Sequence, residues 1–114
     1  MKAIFVELPA FERHREDYLD DEGFGRLQDA LMKNPTVGDV IEDTGGLRKM
    51  RFADKRRGKG KRGGLRVIYY WWDFGMQFWL YTVYDKDEMS DLSPKQRKTL
   101  KAALKSEIEA RRMK

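Results

Sequence analysis

Residues 65–72, LRVIYYWW, and 76–84, MQFWLYTVY, are dense in β-branched and aromatic residues, and Asp73-Phe74-Gly75 between them is turn chemistry. Two such runs around a short turn read as a β-hairpin. Apolar residues occupy both faces of each strand. One face is expected to pack on helices, the other to carry an aromatic platform or a partner surface. With the turn centred near Phe74-Gly75, Arg66 falls opposite Val83, to within a residue or two. The open end of the hairpin then brings together Arg66, Tyr84 and Lys86.

The stretch that enters that end is RKMRFADKRRGKGKRGGLR, residues 48–66, with ten basic residues against the single acid Asp54, a local charge of +9. Residues 1–47 carry −6 and residues 67–114 carry +2, so the net +5 of the chain sits in one loop and its flanks. Charge focused this way is the footprint of a phosphate-binding surface. A solvated basic loop without a partner is the bland alternative, and strand-like flanks that would hold the loop argue against it. Leu47 to Ala53 alternates: Met50 and Phe52 face one way, Lys49 and Arg51 the other, as in a half-buried strand with a cationic solvent face. Gly58, Gly60, Gly63 and Gly64 let the backbone approach a ligand, and equally suit a flexible loop.

Upstream, Ala3-Ile4-Phe5-Val6 reads as a strand. Pro9 suits a helix start, and Phe11, Tyr18 and Leu19 recur at roughly helical spacing. Asp20-Asp21-Glu22 places acids at the start of a second helix, whose stripe is Phe24, Leu27 and Leu31 and which ends at Asn34-Pro35. These two helices should form an antiparallel pair. Gly38 to Gly46 reads as a polar connection. Downstream, Ser93-Pro94 is a helix N-cap with proline at N1, and a last helix runs to about Arg112 on the stripe Leu100, Ala103, Leu104, Ile108. The order β-α-α-β-β-β-α is an α+β fold: a small antiparallel sheet with helices on one side.

A chain of 114 residues with 14 aromatics and 40% hydrophobic content is expected to form one domain with one core, spanning 1–114. No apolar run is long enough to span a membrane, and the opening run is broken by Glu7 and Pro9, so it does not read as a signal peptide. There is no Cys and one His, which leaves no disulfide and argues against a zinc site. No cofactor is expected, and a cytoplasmic protein is the simplest reading. His14 and the carboxylates of residues 7–22 read as solvated helix faces. GKGKRGG lacks the spacing of a nucleotide-binding P-loop.

Chemistry here would fall to Arg, Lys and Tyr. Such chemistry exists for RNA, where the 2′-hydroxyl attacks the adjacent phosphate to give a cyclic phosphate and a free 5′-hydroxyl. It needs proton removal, charge stabilisation on phosphate oxygens and a proton for the leaving group. Arg supplies bidentate phosphate contacts, and a Lys crowded by cations has its pKa lowered. The same residues can bind phosphates and do nothing more, so a non-catalytic RNA- or DNA-binding module stays open, with binding the simpler reading.

Three motifs taken together, GGLRKMRF (45–52), KGKRGGLRVIYYW (59–71) and YDKDEMSDLSPKQRK (84–98), resemble the HigB branch of the RelE-like toxins of type II toxin–antitoxin systems. The resemblance extends over nearly the whole chain, including IFVELPAFE (4–12) and LMKNPTVGDVIEDTGG (31–46). It implies a RelE-like fold with two N-terminal helices and a C-terminal helix. It implies a metal-independent endoribonuclease, an mRNA interferase that cuts mRNA in the ribosomal A site and inhibits translation. It further implies a cognate antitoxin, HigA-like with a helix-turn-helix, through which operator DNA would be met. By the resemblance, Arg66 is similar to the phosphate-stabilising arginine, Lys86 to the basic residue after the last strand, Lys59 to a lysine of the HigB branch, and Tyr84 to its active-site tyrosine. These four are the expected catalytic residues. Lys49, Arg51, Arg48, Lys61, Arg62, Arg56 and Arg57 are the expected RNA- and phosphate-binding residues. Arg51 stands where RelE has a lysine, and no tyrosine follows Tyr84, so Tyr84 substitutes for a C-terminal one. The general base stays open among Lys59, Lys86 and Tyr84.

Overall fold

The computed structural model of the protein describes residues 2–53, 58, 60 and 64–112. The elements run β1 (Ile4–Glu7), α1 (Pro9–Tyr18), α2 (Asp21–Lys33), β2 (Asp39–Val40), β3 (Arg48–Phe52), β4 (Leu65–Trp72), a 3₁₀ turn (Asp73–Gly75), β5 (Gln77–Asp85) and α3 (Pro94–Arg112). The sheet order is β1-β5-β4-β3-β2. The ladders β2–β3, β3–β4 and β4–β5 are antiparallel, but β1 runs parallel to β5. The sheet is therefore mixed, where antiparallel pairing was expected throughout. The α1–α2 pair and everything up to β4 intervene between β1 and its partner, and alternation within a strand says nothing about the direction of so distant a neighbour.

The hairpin supplies the middle of the sheet. Its turn closes through Met76 in the left-handed region, with φ 53°. Gly75 is required there, because a Cβ on it would lie 2.3 Å from the Trp72 ring. Near the turn the register is as expected, with Tyr70 opposite Trp79 and Trp72 opposite Gln77. A bulge beside Ile68/Tyr69 then leaves Tyr81 without a ladder partner and moves the pairing by one residue, so Arg66 meets Tyr84 rather than Val83. Such a bulge re-aims the side chains beyond it.

Helices cover both faces of the sheet, which corrects the expectation of helices on one side only. One core joins Phe11, Leu19, Leu27 and Leu31 of the α1–α2 region to Met50, Leu65, Val67, Tyr69, Phe78, Leu80 and Val83. The other joins Leu104 of α3 and Leu92 to Ile41, Leu47, Ile68, Trp79, Tyr81 and Tyr84. The physical reason was present in the strands: residues that are apolar on both faces need cover on both faces. Among the described residues the hairpin aromatics form no bare platform, since Tyr70, Trp72 and Trp79 pack into the second core.

Local chemistry fixes the helix starts. The Asp20 side chain accepts from the Gly23 N–H at 2.7 Å and caps α2. Ser93 and Gln96 form a reciprocal capping box at α3: the Gln96 N–H donates to Ser93 Oγ at 3.1 Å, and the Ser93 N–H donates to Gln96 Oε1 at 2.7 Å. The expected polar connection contains β2, a two-residue exposed strand. The chain returns from it through Asp43, Gly45 and Gly46, all at positive φ. The described helices include none long and apolar enough to cross a membrane.

Candidate active site

Strand alternation and register place Arg51, Arg66 and Tyr84 in one row across the α3 face of the sheet, Arg51 opposite Arg66 and Arg66 opposite Tyr84. Lys49, two residues before Arg51, shares that face, opposite Ile68. Lys86 follows at the exposed end of β5, and its N–H donates to Gly64 O at 3.2 Å. That bond, with Phe52 opposite Leu65, fixes both ends of the basic segment at the Arg66–Tyr84 end of the hairpin. Lys59, Arg56, Arg57, Lys61 and Arg62 lie outside the described residues.

Arg48 does not join this row. It sits opposite Tyr69 on the other face, and its Nη1 donates to Gly38 O at 2.8 Å and Thr36 O at 3.4 Å. The Tyr69 hydroxyl donates to Pro35 O at 2.8 Å and accepts from the Gly38 N–H at 3.0 Å. Together they pin residues 35–38 to the sheet. A basic side chain that bonds two backbone carbonyls of one loop is a structural clamp, and Arg48 has that role here. His14 is exposed on α1, away from the row.

Two residues that sequence reasoning did not single out complete the surface. Asp91 lies in the segment after β5, and Arg97 in the first turn of α3. Lys49 Nζ stands 3.2 Å from Asp91 Oδ1, and Arg97 Nη2 stands 3.3 Å from Asp91 Oδ2. The Leu92 N–H, the Lys49 hydrogen bond and charge, and Arg97 together hold the Asp91 carboxyl below the usual aspartate range, against a smaller effect of burial. The only signal in the sequence was spacing: SPKQR sets Arg97 one turn past the capping serine, and its backbone N–H indeed donates to Ser93 O at 3.0 Å.

The environment of each group sets what it can do. Arg66 is only 5% exposed, and its Nη1 donates to Leu65 O at 3.1 Å. Tyr84 is 6% exposed, and its hydroxyl finds no hydrogen-bond partner among the described residues. Burial raises the Tyr84 pKa; the Asp91 carboxylate adds to the rise, and Arg66 and Arg97 oppose it. At neutral pH the phenol is therefore protonated and serves as a hydrogen-bond donor. Arg97 Nε is likewise buried without a partner. Beside this row a cleft of about 650 Å³ is lined by Lys49, Arg51, Arg97 and Met50 and by residues of the Val37–Glu42 segment.

No protein-family model matches this chain. Among solved structures, a double arginine-to-alanine variant of the E. coli toxin RelE in the free state superposes with a TM-score of 0.50, at 12% identity, over 79% of this chain and 90% of that one. Three helices around a five-stranded mixed sheet, with this order of elements, make the fold of this chain RelE-like.

Proposed function

We propose that this chain is a HigB-type toxin of a type II toxin–antitoxin system: one toxin domain that acts as a ribosome-dependent endoribonuclease, cuts mRNA in the A site and is held in check by a HigA-like antitoxin. The observation that carries the reading is the row Arg51–Arg66–Tyr84, on a RelE-like fold, at the hairpin end where the basic segment 54–64 leaves and re-enters the sheet. In the proposed step the 2′-oxygen of the message attacks the neighbouring phosphorus, its proton is removed, and the bond to the 5′-oxygen breaks. The products are a 2′,3′-cyclic phosphate and a 5′-hydroxyl end. Arg66 holds the charge that develops on the phosphate oxygens. The Tyr84 hydroxyl, protonated and without an acceptor among the described residues, donates to the phosphate or positions the nucleophile. That leaves Lys86 and Lys59 for proton transfer, and the reading requires no metal. Arg51 and the cations of segment 54–64 dock on ribosomal and messenger RNA, with operator DNA reached only through the antitoxin complex.

The test is induction in bacteria with mapping of new 5′ ends on translated messages. Cuts in phase with codons, bearing 5′-hydroxyls, are expected for the unaltered chain. They should disappear when translation is blocked. Lys86→Ala, at an exposed position, and Arg66→Lys, which keeps a buried cation, should both abolish cleavage and growth arrest while the circular dichroism spectrum and ribosome co-sedimentation remain. Growth arrest that persists in the double substitution would refute the catalytic assignment. Intact messages with ribosome or nucleic-acid binding retained would favour the non-catalytic binding module.

A further inference from the structure

Asp91, Lys49 and Arg97 pose a problem that the cleavage reading leaves unanswered. Two cations on different elements, β3 and α3, converge on one carboxylate at 3.2 and 3.3 Å. The ion pairs are long and half-exposed, a geometry that contributes little to stability. Close by, two buried donors have no acceptor among the described residues, the Tyr84 hydroxyl and Arg97 Nε. The charges of Arg66, Arg97 and Asp91 all act on that hydroxyl, so these groups surround one locality. Donors that converge without an acceptor, around a carboxylate that two cations share, describe an anion site.

We infer that Lys49 and Arg97, which line the cleft beside Arg51, form a second phosphate subsite, and that the Asp91 carboxylate engages both cations in the free protein as an internal stand-in for an RNA phosphate. Only the identity of the ligand rests on the RNA-cleaving reading; the subsite itself rests on the donors. The carboxylate holds Lys49 and Arg97 in place before RNA arrives. A backbone phosphate next to the scissile one then replaces it, and gains the unused Nε–H of Arg97. The Leu92 N–H, which donates to Asp91 Oδ1 at 2.8 Å, tethers the carboxylate to the segment before α3. Replacement therefore means a small rotation of Asp91 rather than loss of the segment. Two further carboxylates, Asp39 and Glu42, line the same cleft, and Asp39 lies directly opposite Lys49 in the β2–β3 ladder.

The experiment uses the full chain and a trinucleotide RNA with every ribose 2′-O-methylated, which cannot be cleaved. Binding is followed by NMR through the Arg97 Nε–H signal and by titration at several salt concentrations. The unaltered chain should show a shifted Arg97 Nε–H on binding. Arg97→Ala should weaken binding severalfold and reduce the salt slope by about one. Asp91→Asn should strengthen binding, and that gain should vanish when Arg97→Ala is also present. No shift at Arg97 with millimolar RNA, an unchanged salt slope in Arg97→Ala, or weaker binding in Asp91→Asn would each overturn the subsite. If the chain binds this RNA as expected yet cuts no message, the subsite stands and the endoribonuclease reading falls. If it cuts messages while Arg97→Ala binds normally, the reverse holds.

Discussion

Arg97 and Arg111 stand near the two ends of one helix, on the same side of the sheet, and their surroundings differ sharply. Arg111 is saturated. Its Nε donates to Glu107 at 3.1 Å and its Nη1 to Gln77 at 3.0 Å, and its guanidinium lies 5.8 and 5.2 Å from the ring centroids of Trp72 and Trp79. Among the described residues Arg97 has one long ion pair and a buried Nε without a partner. Buried tyrosine hydroxyls without partners among the described residues occur at both ends, Tyr81 near Arg111 and Tyr84 near Arg97, so an unpaired hydroxyl alone does not mark a site. What differs is the arginine. One end has spent its donors on the fold, and the other has kept them.

The largest expected effect tests whether the Arg111 end is the structural one. Trp79 is fully buried there, its ring 5.4 Å from that of Trp72 and tilted by 35° to it, and it donates its Nε1–H to Gln77. Trp71, eight residues earlier in the hairpin, is half-buried on the α1–α2 face against Phe78. Trp79→Ala should lose about 3–5 kcal/mol of unfolding free energy in urea, and Trp71→Ala about 1–2 kcal/mol. Equal losses would mean that the two faces share the structural load evenly. The next effect is smaller and goes to the arginines themselves. Arg111→Ala removes charge-assisted hydrogen bonds and a cation over two indoles, and should lose about 1–3 kcal/mol. Arg97→Ala should change stability by no more than about 0.5 kcal/mol, because its ion pair is half-exposed. A larger loss at Arg97 than at Arg111 would break the comparison.

The sequence disclosed one side of this contrast better than the other. The hairpin, both N-terminal helices and the Ser93-Pro94 cap could be read because turn chemistry, spacing and capping are local. The row Arg51–Arg66–Tyr84 was within one residue of reach, and the bulge at Tyr81 supplied the difference. The parallel β1–β5 ladder was not legible, since it depends on what lies between distant segments. Arg48 looked like another phosphate ligand because charge counting does not see which face a strand residue takes; Met50 facing the core already put Arg48 on the inner side. Asp91 and Arg97 were hidden differently. In sequence they are an acid in a polar segment and one of several bases on a basic helix, and only the approach of α3 to β3 singles them out. Lys59 and its neighbours fall in the segment outside the described residues.

The smallest expected effect is also the most discriminating. Tyr84→Phe removes a buried hydroxyl that has no partner among the described residues, so at neutral pH the unfolding free energy should stay the same or rise by a few tenths of a kcal/mol, less than about 0.5 kcal/mol. The pH dependence carries the sign of the raised pKa. In the folded chain the phenol keeps its proton at pH values where the unfolded chain, with a tyrosine pKa of about 10, begins to lose it. The stabilisation from this group is thus complete below about pH 10 and is lost as pH rises through the folded value. Tyr18, Tyr69 and Tyr81 are shifted in the same direction, so stability should decline above about pH 10 in the unaltered chain and less steeply in Tyr84→Phe. A loss of about 2 kcal/mol or more at neutral pH would show that the hydroxyl has a structural partner after all. Tyr84 would then resemble the closed end of the helix, with its phenol held by the fold and not kept for a ligand. A neutral variant that nevertheless loses activity would place the hydroxyl where a protein keeps groups it does not need for folding.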